Sequence, residues 1–306
     1  MKKILVTGGA GFIGSHVVRA LLNHSYEVTV FDNLSGGYRD AVPEGVRFIE
    51  GDVINKDDLE RALIGHDAVV NMAGLISVPE SVVKPMEYFS VNTMGGLVLL
   101  EAMKNVGVTT LVFSSTAAVY GNPKSVPIHE DAIKLPTSPY GASKLAFEHF
   151  MSAYCANFGM NAVALRYFNA YGPDERHQPE THAIPRFIDA ILHNRPITIT
   201  GSSEQVRDFV FVRDIAEAHV MALSLQGFNY FNLGSGDGVS LDELVTTLGE
   251  VAGVSVAVEH APARPGDPEK LIADAEKIRK TLGWEPKVSL QDGLRETVEY
   301  FKRALR

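Results

Sequence analysis

The sequence predicts an α/β protein in which a doubly wound parallel sheet is followed by a smaller α/β lobe. In the first half of the chain, short segments rich in β-branched residues alternate with longer segments of helical length. After residue 167 the strands and helices become shorter, and proline and charged residues are enriched over 173–186. We therefore expect a first domain over residues 1–167 and a smaller lobe over residues 168–306, with one apolar strand near 208–214 returning to the first sheet.

Five apolar segments have the length and composition of buried parallel strands: residues 4–6, 27–31, 46–49, 68–70 and 110–113. Helical length and spacing mark residues 12–24, 56–65, 86–106 and 138–158. Because parallel neighbours are joined only by crossovers, this alternation predicts helices on the faces of the sheet.

Charge and cysteine content restrict the partners and the compartment. The chain has 306 residues and a net charge of −9, which argues against binding to nucleic acid or to an anionic membrane surface. Its single cysteine, Cys155, excludes an intrachain disulfide and fits a reducing cytoplasm. No segment approaches the roughly 20 apolar residues that cross a bilayer. We expect a soluble cytoplasmic protein and no metal site.

A glycine-rich turn joins the first strand to the first helix. Gly8, Gly11 and Gly14 have the spacing G-x-x-G-x-x-G, which suits a tight turn, a close approach of backbone to pyrophosphate, and close helix–strand packing. The helix then presents free N–H groups and its positive dipole end to phosphates. The turn predicts a Rossmann-type dinucleotide site, although such turns also serve packing alone.

An acidic residue at the end of the second strand selects the dinucleotide. Asp32 lies 18 residues after Gly14, where a carboxylate can accept both ribose hydroxyls of adenosine. The same carboxylate repels a 2′-phosphate, and no Arg or Lys follows before Arg39, so NAD is predicted rather than NADP. The alternative role of Asp32 is to start a turn. Asp52, after the third strand, suits an adenine contact and an ordinary turn equally well.

Tyr140 and Lys144 are one helical turn apart, in a segment whose Pro139 and capping residues mark a helix start. A free tyrosine has a pKa near 10, so a base that works near pH 7 needs about 4 kcal/mol of preferential phenolate stabilisation. A nearby cation typically supplies about 1–3 pKa units, and a positive nicotinamide ring would add the rest. In the context of a dinucleotide-binding sheet, the pair predicts a catalytic base and its supporting cation, and not two exposed helical residues.

A hydroxyl is expected where the fifth strand ends beside the cofactor. Ser114, Ser115 and Thr116 are the candidates, because a hydroxyl there can hydrogen-bond the substrate oxygen and relay its proton to Tyr140. These residues alone do not select one of the three.

Together these motifs resemble the extended short-chain dehydrogenase/reductases, and within them most closely the UDP-glucose (UDP-galactose) 4-epimerases. The segments that carry the resemblance are 7–16, 32–35, 71–75, 79–85, 114–116, 140–144, 166–173, 207–214, 232–236, 264–267 and 282–284. The resemblance implies an enzyme that oxidises a UDP-sugar at C4 with tightly bound NAD and reduces it at the same site. It also implies a homodimer that pairs the helices over 86–106 and 138–158.

The resemblance further implies roles for single residues. Thr116 is the catalytic hydroxyl, Tyr140 the base, and Lys144 the residue that holds the nicotinamide ribose. The implied NAD contacts are Gly8, Gly11, Phe12, Ile13, Gly14, Asp32, Asn33, Leu34, Ser35, Gly37, Asp52, Val53, Met72, Ala73, Gly74, Asn92, Ser114, Tyr140, Lys144 and Phe168. The implied substrate contacts are Thr116, Asn169, Arg207, Arg264 and Leu271. The forked guanidinium of an arginine suits a diphosphate.

Three positions depart from the pattern of these epimerases. Ile76 stands where a Lys is frequent, and His182 where an Asn is frequent. Leu271 stands where epimerases restricted to non-acetylated sugars tend to carry a bulky Tyr beside the C2 substituent of the hexose. The smaller side chain leaves room for an N-acetyl group, so the sequence predicts that UDP-GlcNAc and UDP-GalNAc are also accepted.

Other enzymes of the superfamily and a non-catalytic protein are the alternatives. Nucleotide-sugar 4,6-dehydratases typically carry an Asp-Glu pair after the catalytic Thr, whereas Ala117 and Ala118 follow Thr116. UDP-glucuronate decarboxylases, and epimerases that act on glucuronate, remain as alternatives. They differ from these 4-epimerases in the basicity of the substrate pocket, which the sequence does not place. A non-catalytic NAD(H)-binding regulator is disfavoured, because such proteins usually lack the Tyr or the Lys.

Overall fold

The computed structural model describes residues 2–176, 182–262 and 268–304. Its strands are β1 (Lys3–Thr7), β2 (Glu27–Asp32), β3 (Arg47–Glu50), β4 (Ala68–Asn71), β5 (Thr110–Thr116), β6 (Asn161–Tyr167), β7 (Asn169–Tyr171), β8 (Ile197–Thr200), β9 (Val206–Phe211), β10 (Phe228–Leu233), β11 (Gly238–Ser240), β12 (Val258–Ala261) and β13 (Lys270–Leu271).

The α-helices are α1 (Phe12–Asn23), α2 (Lys56–Leu63), α3 (Val78–Val83), α4 (Pro85–Tyr88), α5 (Gly95–Val106), α6 (Pro139–Phe158), α7 (Ala183–Leu192), α8 (Val212–Ala222), α9 (Leu241–Ala252), α10 (Glu276–Leu282) and α11 (Leu290–Ala304). A π-helical segment, Phe89–Met94, joins α4 to α5. Short 3-10 segments cover Arg39–Ala41 and Ala117–Tyr120.

Seven strands form one sheet in the order β10-β6-β5-β4-β1-β2-β3. The pairs that link β1 to β6 are all parallel. The strand order reverses at β1, which pairs with β2 on one side and with β4 on the other. Ligands of doubly wound folds bind at the carboxyl ends of the strands beside such a reversal. The predicted fold class is therefore confirmed, and the reversal marks where a dinucleotide would bind.

The chain divides into two compact units, each built from separate segments. The first unit contains residues 1–121, 133–167 and 215–231, and the second contains residues 122–132, 168–214 and 232–306. Residues 215–231 thus belong to the first unit, although the division expected from the sequence puts them in the second lobe.

The strand predicted to return to the large sheet is the wrong one. β9 pairs instead with β7, β11 and β13 in a four-stranded sheet of the second unit. The strand that returns is β10, which lies at the edge of the large sheet beside β6. Both segments are short and apolar, so their composition does not say which sheet they join. In the structure, Phe209 and Phe211 pack edge-on against Tyr171 of β7, within the core of the second unit.

In the first unit, α2, α5 and α6 pack on one face of the large sheet. Leu59, Leu100 and Phe147 of these helices are fully buried against the sheet. The rings of Phe147 on α6 and Phe113 on β5 meet edge-to-face, with their centroids 4.7 Å apart. Burial of an aromatic side chain stabilises by roughly 1.5–3 kcal/mol. This contact fixes α6 against β5, the two elements that carry the predicted catalytic residues.

In the second unit, a separate core lies between α7, α9, α11 and the strands β8 and β9. Its most deeply buried members are Ile188, Ile197, Leu244 and Leu294. Helix α9 begins with a capping box, in which Ser240 and Glu243 satisfy each other's backbone N–H groups.

Two further findings apply to residues 2–176, 182–262 and 268–304. None of the helices there is both long enough and apolar enough to cross a membrane. No group of three or more His, Cys, Asp or Glu side chains is arranged to hold a metal ion.

Candidate active site

The turn after β1 has no space for side chains. Gly8 has a φ of +68°, and a Cβ atom there would lie 2.5 Å from the backbone nitrogen of Ala73. A Cβ atom on Gly14 would lie 2.1 Å from the carbonyl oxygen of Gly8. Gly11 precedes α1, and its position provides no side-chain cap for the helix. A helix start without a side-chain cap fits the pyrophosphate of a dinucleotide, because the first N–H groups of a helix have no partner within the helix.

Asp32 both shapes the turn after β2 and keeps hydrogen-bonding capacity. Its two carboxylate oxygens accept the backbone N–H groups of Ala10, at 3.0 Å, and Leu34, at 2.8 Å. Burial raises the pKa of this carboxyl, and the two N–H donors oppose that rise. Because each oxygen has a second lone pair, the carboxylate can also accept ribose hydroxyls. The two roles considered from the sequence are compatible.

The segment after Asp32 folds back on the glycine turn. Leu34 has a φ of +58°, and the N–H of Ser35 donates to Asn33 Oδ1 over 3.0 Å. A Cβ atom on Gly37 would lie 2.9 Å from the backbone of Ala10. Glycine is therefore required at position 37 for the segment to pack this closely.

Asp52 connects the loops after β2 and β3. Its carboxylate accepts a hydrogen bond from Asn33 Nδ2 at 2.9 Å and one from the N–H of Ile54 at 3.1 Å. The neighbouring Val53 is buried, and its side chain leaves no room for a Cβ atom on Gly95 of α5. The turn role of Asp52 is thus visible in the structure, and the adenine contact stays a prediction.

The loop after β4 is held by Asn92, which lies in the π-helical segment. Its amide brackets the backbone of Leu75, accepting from the N–H at 2.8 Å and donating to the carbonyl at 3.0 Å, and it also donates to Ser143 Oγ at 3.1 Å. A Cβ atom on Gly74 would lie 3.1 Å from Lys144 Nζ. Asn92 therefore fixes residues 72–75 beside Lys144. The extra residue of the π turn orients the side-chain amide of Asn92 towards this loop.

Helix α6 presents Lys144 in a fully enclosed environment. The helix starts at Ser138, whose hydroxyl accepts the N–H of Gly141 at 3.1 Å. Lys144 is 2% exposed, and its ammonium donates to the carbonyl oxygen of Ser114 at 3.0 Å and lies 4.9 Å from the ring centre of Phe113. Burial lowers the pKa of Lys144 to about 8. Keeping Lys144 charged in these surroundings therefore costs free energy, which is typical of a functional position.

The hydroxyl of Thr116 lies close to that of Tyr140. Burial raises the pKa of Tyr140, and the Thr116 hydroxyl opposes that rise. The N–H of Ala118 donates to Thr116 Oγ1 at 3.1 Å, so the hydroxyl hydrogen of Thr116 is left for Tyr140. The ring of Tyr140 meets that of Tyr88 edge-on, with the centroids 6.4 Å apart.

The three hydroxyls at the end of β5 have three different partners. Ser115 donates to the buried carboxylate of Glu148, Ser114 lies beside the hydroxyl of Tyr167, and Thr116 is the one of the three that lies beside Tyr140. The structure therefore distinguishes the three candidates that the sequence left equal, and Thr116 is the one beside the predicted base.

Two buried polar pairs near these hydroxyls were not anticipated from the sequence. Glu148 and Arg166 form an ion pair with Arg166 Nη2 2.6 Å from Glu148 Oε2, and both side chains are 3% exposed. The hydroxyl of Tyr167 lies 2.6 Å from Nε2 of His219, whose Nδ1 faces the carbonyl of Ile215 at 2.9 Å. The only signal for either pair was Glu148, a carboxylate placed one turn after Lys144 on the buried side of the helix.

Of the predicted substrate residues, Asn169, Arg207 and Leu271 lie in the second unit, whereas Thr116 belongs to β5 of the first. Asn169 Nδ2 donates to the carbonyl of Asp208 at 3.1 Å, and Arg207 Nη1 donates to the carbonyl of Val206 at 2.9 Å. Leu271 is half-buried and stands opposite Arg207 in the parallel pair of β13 and β9. The structure thus places Leu271 beside the arginine predicted to hold the diphosphate.

Asp208 is a buried anchor that sequence reasoning missed. Its carboxylate accepts the N–H groups of Ser235 at 2.6 Å, of Gly236 at 3.0 Å and of Ala273 at 3.0 Å. Through these bonds it ties β9 to the chain after β10 and to the chain after β13. Since it follows Arg207 directly, it fixes the backbone from which that guanidinium extends.

Three further residues of the second unit were named from the sequence: Phe168, His182 and Arg264. Phe168 is buried, and its N–H donates to the carbonyl of Leu233 at 3.0 Å. His182 Nδ1 lies 2.6 Å from the fully buried carboxylate of Glu175. Arg264 lies outside the described residues.

The chain belongs to the NAD dependent epimerase/dehydratase family, whose family model matches residues 4–234. This assignment confirms the resemblance seen in the sequence. A UDP-glucose 4-epimerase of Azospirillum brasilense is 44% identical over 99% of this chain and 92% of its own.

Solved structures give the same picture over the whole chain. The UDP-glucose 4-epimerase of Thermotoga maritima, solved with UDP-glucose, has a TM-score of 0.96 at 38% identity, covering 99% of this chain and all of its own. The UDP-glucose 4-epimerase of Thermus thermophilus, solved with NAD, has a TM-score of 0.92 at 42% identity, covering 99% of each chain. A UDP-N-acetylglucosamine 4-epimerase of Methanobrevibacter ruminantium has a TM-score of 0.94 at 35% identity, also covering 99% of each.

Proposed function

We propose that this protein is an NAD-dependent UDP-glucose 4-epimerase, which interconverts UDP-glucose and UDP-galactose. The observation that carries the proposal is the placement of Thr116 beside Tyr140, one turn from the enclosed ammonium of Lys144, which donates to the carbonyl oxygen of Ser114 at 3.0 Å. It lies at the carboxyl end of β5 in a member of the NAD dependent epimerase/dehydratase family. A phenol, a hydroxyl and a cation in this arrangement suit removal and return of a proton on a sugar hydroxyl.

The residues around the glycine turn fit NAD. The uncapped start of α1 would hold the pyrophosphate, the spare lone pairs of Asp32 would accept the adenosine ribose hydroxyls, and Lys144 would hold the nicotinamide ribose. When bound, NAD supplies reversible hydride transfer with C4 of the hexose. A carboxylate at position 32 favours NAD over NADP, because it repels a 2′-phosphate.

Proton transfer is the task of Tyr140 and Thr116. Tyr140, as phenolate, takes the proton of the 4-hydroxyl, either directly or through Thr116, and returns it once the 4-keto sugar has turned its other face. Burial disfavours the phenolate, so the nearby charge of Lys144 and the hydroxyl of Thr116 have to compensate. Because the same proton is taken and returned, the reaction needs no external acid, base or redox partner.

Substrate binding falls to the second unit. Arg207, and Arg264 beyond the described residues, would pair with the diphosphate, and Asn169 would assist them. Leu271 is the position that decides whether a C2 N-acetyl group is tolerated, so UDP-GlcNAc and UDP-GalNAc are proposed as further substrates. The anchored diphosphate lets the hexose turn while its reacting carbon stays near Tyr140.

Elimination chemistry is less well supported. After Thr116 the chain forms the 3-10 segment Ala117–Tyr120, whose first two residues carry only methyl groups. A 4,6-dehydratase would need an acid and a base there, and neither is present in that segment. UDP-glucuronate decarboxylation or epimerisation is the alternative reaction, and a non-catalytic NAD(H)-binding regulator is the alternative of another class.

The proposed active form is a homodimer in the cytoplasm. Large apolar side chains are exposed on the helices over 86–106 and 138–158: Met86 is 74% exposed, Phe89 46% and Phe150 38%. Exposed large apolar side chains are typical of a protein interface when they form one patch, which is what pairing of these helices would cover. A second copy of the chain would cover it by pairing the same two helices.

The decisive experiment incubates the purified protein, without added NAD, with UDP-glucose, UDP-galactose, UDP-GlcNAc and UDP-GalNAc separately. The products are resolved by chromatography. Interconversion within either pair supports a 4-epimerase with resident NAD. If NAD is present and neither pair is interconverted, the proposal fails, and turnover of UDP-glucuronate would then support the alternative reaction.

A further inference from the structure

Helix α6 contacts the end of β5 through one polar side chain in each of three successive turns. Tyr140 lies beside Thr116, Lys144 donates to the carbonyl oxygen of Ser114, and Glu148 accepts from the hydroxyl of Ser115. Residues four apart on a helix lie on one face. The third contact therefore continues the row formed by the two predicted catalytic residues.

Glu148 is held more firmly than either of the other two. Its Oε1 accepts Ser115 Oγ and, at 3.0 Å, Arg166 Nε, while its Oε2 accepts Arg166 Nη2 at 2.6 Å. Arg166 lies on β6 directly opposite Ser115, because these two residues are paired in the parallel register. One carboxylate thus joins the helix to two adjacent strands.

The guanidinium of Arg166 is itself immobilised. It donates to the hydroxyl of Tyr120 at 2.8 Å, and it lies 5.3 Å from the ring centre of Tyr120 and 4.7 Å from that of Tyr230. A planar guanidinium bonded in its plane and stacked on aromatic rings has little freedom to turn. Any sliding of α6 along β5 would break this bidentate pair.

A buried ion pair is a poor source of stability, because desolvation of both charges offsets their attraction. Its best-attested use is to fix the register of one element against another. We propose that Glu148 is a positioning residue: together with Arg166 and Ser115, it sets the register of α6 on β5, so that Tyr140 faces Thr116 and Lys144 faces Ser114. The inference rests on the proposed function of Tyr140 and Lys144.

The test separates register from stability. In the double variant Glu148→Leu/Arg166→Met, no buried charge is left unpaired, so the thermal midpoint should stay close to that of the parent. Without the pair, kcat for UDP-glucose should fall about 100-fold, the scale expected for a misplacement of about 1 Å. KM should change less than about twofold, because the substrate-binding residues of the second unit are untouched.

Two further variants make the result interpretable. Ser115→Ala removes only the contact to β5 and leaves the ion pair. It should lower kcat about tenfold, and the loss of one hydrogen bond should lower the thermal midpoint no more than Met151→Ala does. Met151→Ala is the matched control, since Met151 is fully buried on the next turn of α6 but has no polar contact with β5. It should lower the thermal midpoint and leave kcat within about twofold.

Parent-like kcat in folded Ser115→Ala, or in the folded double variant, would overturn the proposal. If the double variant does not fold, Ser115→Ala decides alone. The amount of NAD retained after gel filtration is measured for each protein, and it should drop in the two test variants because Lys144 is displaced. This readout works even if the parent does not convert UDP-glucose, an outcome that rejects the proposed function and not the positioning role.

Discussion

The ammonium of Lys144 donates a 3.0 Å hydrogen bond to the carbonyl oxygen of Ser114, inside a region where the side chain is 2% exposed. This hydrogen bond satisfies an ammonium group that the surroundings disfavour, since burial lowers the pKa of Lys144 to about 8. A lowered pKa on a lysine means that the fold favours the neutral amine. The charge is therefore retained at the expense of stability.

Replacing this charge should stabilise the NAD-free protein. One pKa unit corresponds to about 1.4 kcal/mol, so burial of the ammonium costs about 3 kcal/mol. After the lost bond to Ser114 is subtracted, Lys144→Met should raise the free energy of unfolding at pH 7 by about 1–2 kcal/mol. NAD retention and turnover should be lost.

Urea unfolding of NAD-free protein measures this effect. The cost of the charge is complete below pH 8 and disappears as the pH rises to the ordinary lysine pKa, so the advantage of Lys144→Met should shrink above pH 8. Lys280→Met, at an exposed position on α10, is the control and should alter stability little. A variant less stable than the parent at pH 7 contradicts the interpretation.

Removal of the Tyr140 hydroxyl should abolish turnover without loss of the cofactor. Tyr140→Phe retains the ring that packs edge-on against Tyr88. Loss of a general acid–base group typically lowers kcat by about 100- to 10,000-fold. The rate is followed by chromatography of UDP-glucose and UDP-galactose, and NAD is quantified after denaturation. Turnover near the parent rate, with NAD bound, would exclude Tyr140 as the base.

His219 should make the protein sensitive to acid. Burial lowers the pKa of His219 to about 4, whereas the unfolded chain takes up this proton near pH 6.5. The unfolded state therefore binds more protons between these values, so stability falls as the pH drops from 6.5 towards 4, by about 2 kcal/mol between pH 7 and pH 5.

The variant His219→Leu isolates this contribution. It leaves the Tyr167 hydroxyl without its 2.6 Å partner, so it should be less stable than the parent at pH 7. The difference should narrow by about 2 kcal/mol at pH 5, because only the parent has to remain unprotonated there. Unfolding curves in urea at the two pH values give the comparison, and an equal difference at both would refute it.

Leu271 should control the tolerance for an N-acetyl group. In Leu271→Tyr, kcat/KM for UDP-GlcNAc should fall about 10- to 100-fold, the range that a clash in a shaped pocket produces. UDP-glucose, which lacks the acetyl group, serves as the internal control and should be converted within about threefold of the parent rate. Unchanged discrimination between the two sugars would show that position 271 does not face C2.

A charge on the exposed face of α6 should prevent dimer formation. Phe150→Glu places a carboxylate where the second copy is proposed to pack, and a buried unpaired charge is strongly unfavourable. Light scattering after size exclusion should give a dimer for the parent and a monomer for the variant. Ile64→Glu, at an exposed apolar site directly after α2, should leave the dimer intact. A monomeric parent would contradict the proposed assembly.

The features that could be predicted from the sequence are those set by residues close together along the chain. The glycine turn and the strand–helix alternation depend on spacing along the chain. They predicted the fold class, which is confirmed, and a dinucleotide site at the turn after β1, which stays a prediction. The choice between β9 and β10 as the returning strand depends on contacts far apart in sequence. Their similar apolar compositions contain no information on which sheet each strand joins.

The same distinction applies within the site. Ser114, Ser115 and Thr116 are chemically alike, yet Ser114 faces Tyr167 on β6, whereas Ser115 and Thr116 face Glu148 and Tyr140 on α6. The side chain that fixes Leu75 belongs to Asn92, whose orientation depends on a π turn that hydrophobic periodicity does not reveal. Spacing along the chain was enough to pair Tyr140 with Lys144. The role proposed for Glu148 depends on its ion pair with Arg166, which lies on β6.

The first unit is interrupted twice, and its last segment, residues 215–231, follows the second unit's strands β7, β8 and β9. On the ribosome, the outer edge of β6 therefore stays uncovered until β10 has been synthesised. A fragment ending at residue 167 would keep that edge open, which is a template for aggregation. Recombination between homologous genes at this apparent boundary would separate β10 from its sheet. The two units can consequently be inherited only together, because neither is encoded by one continuous segment that could be exchanged between homologous genes.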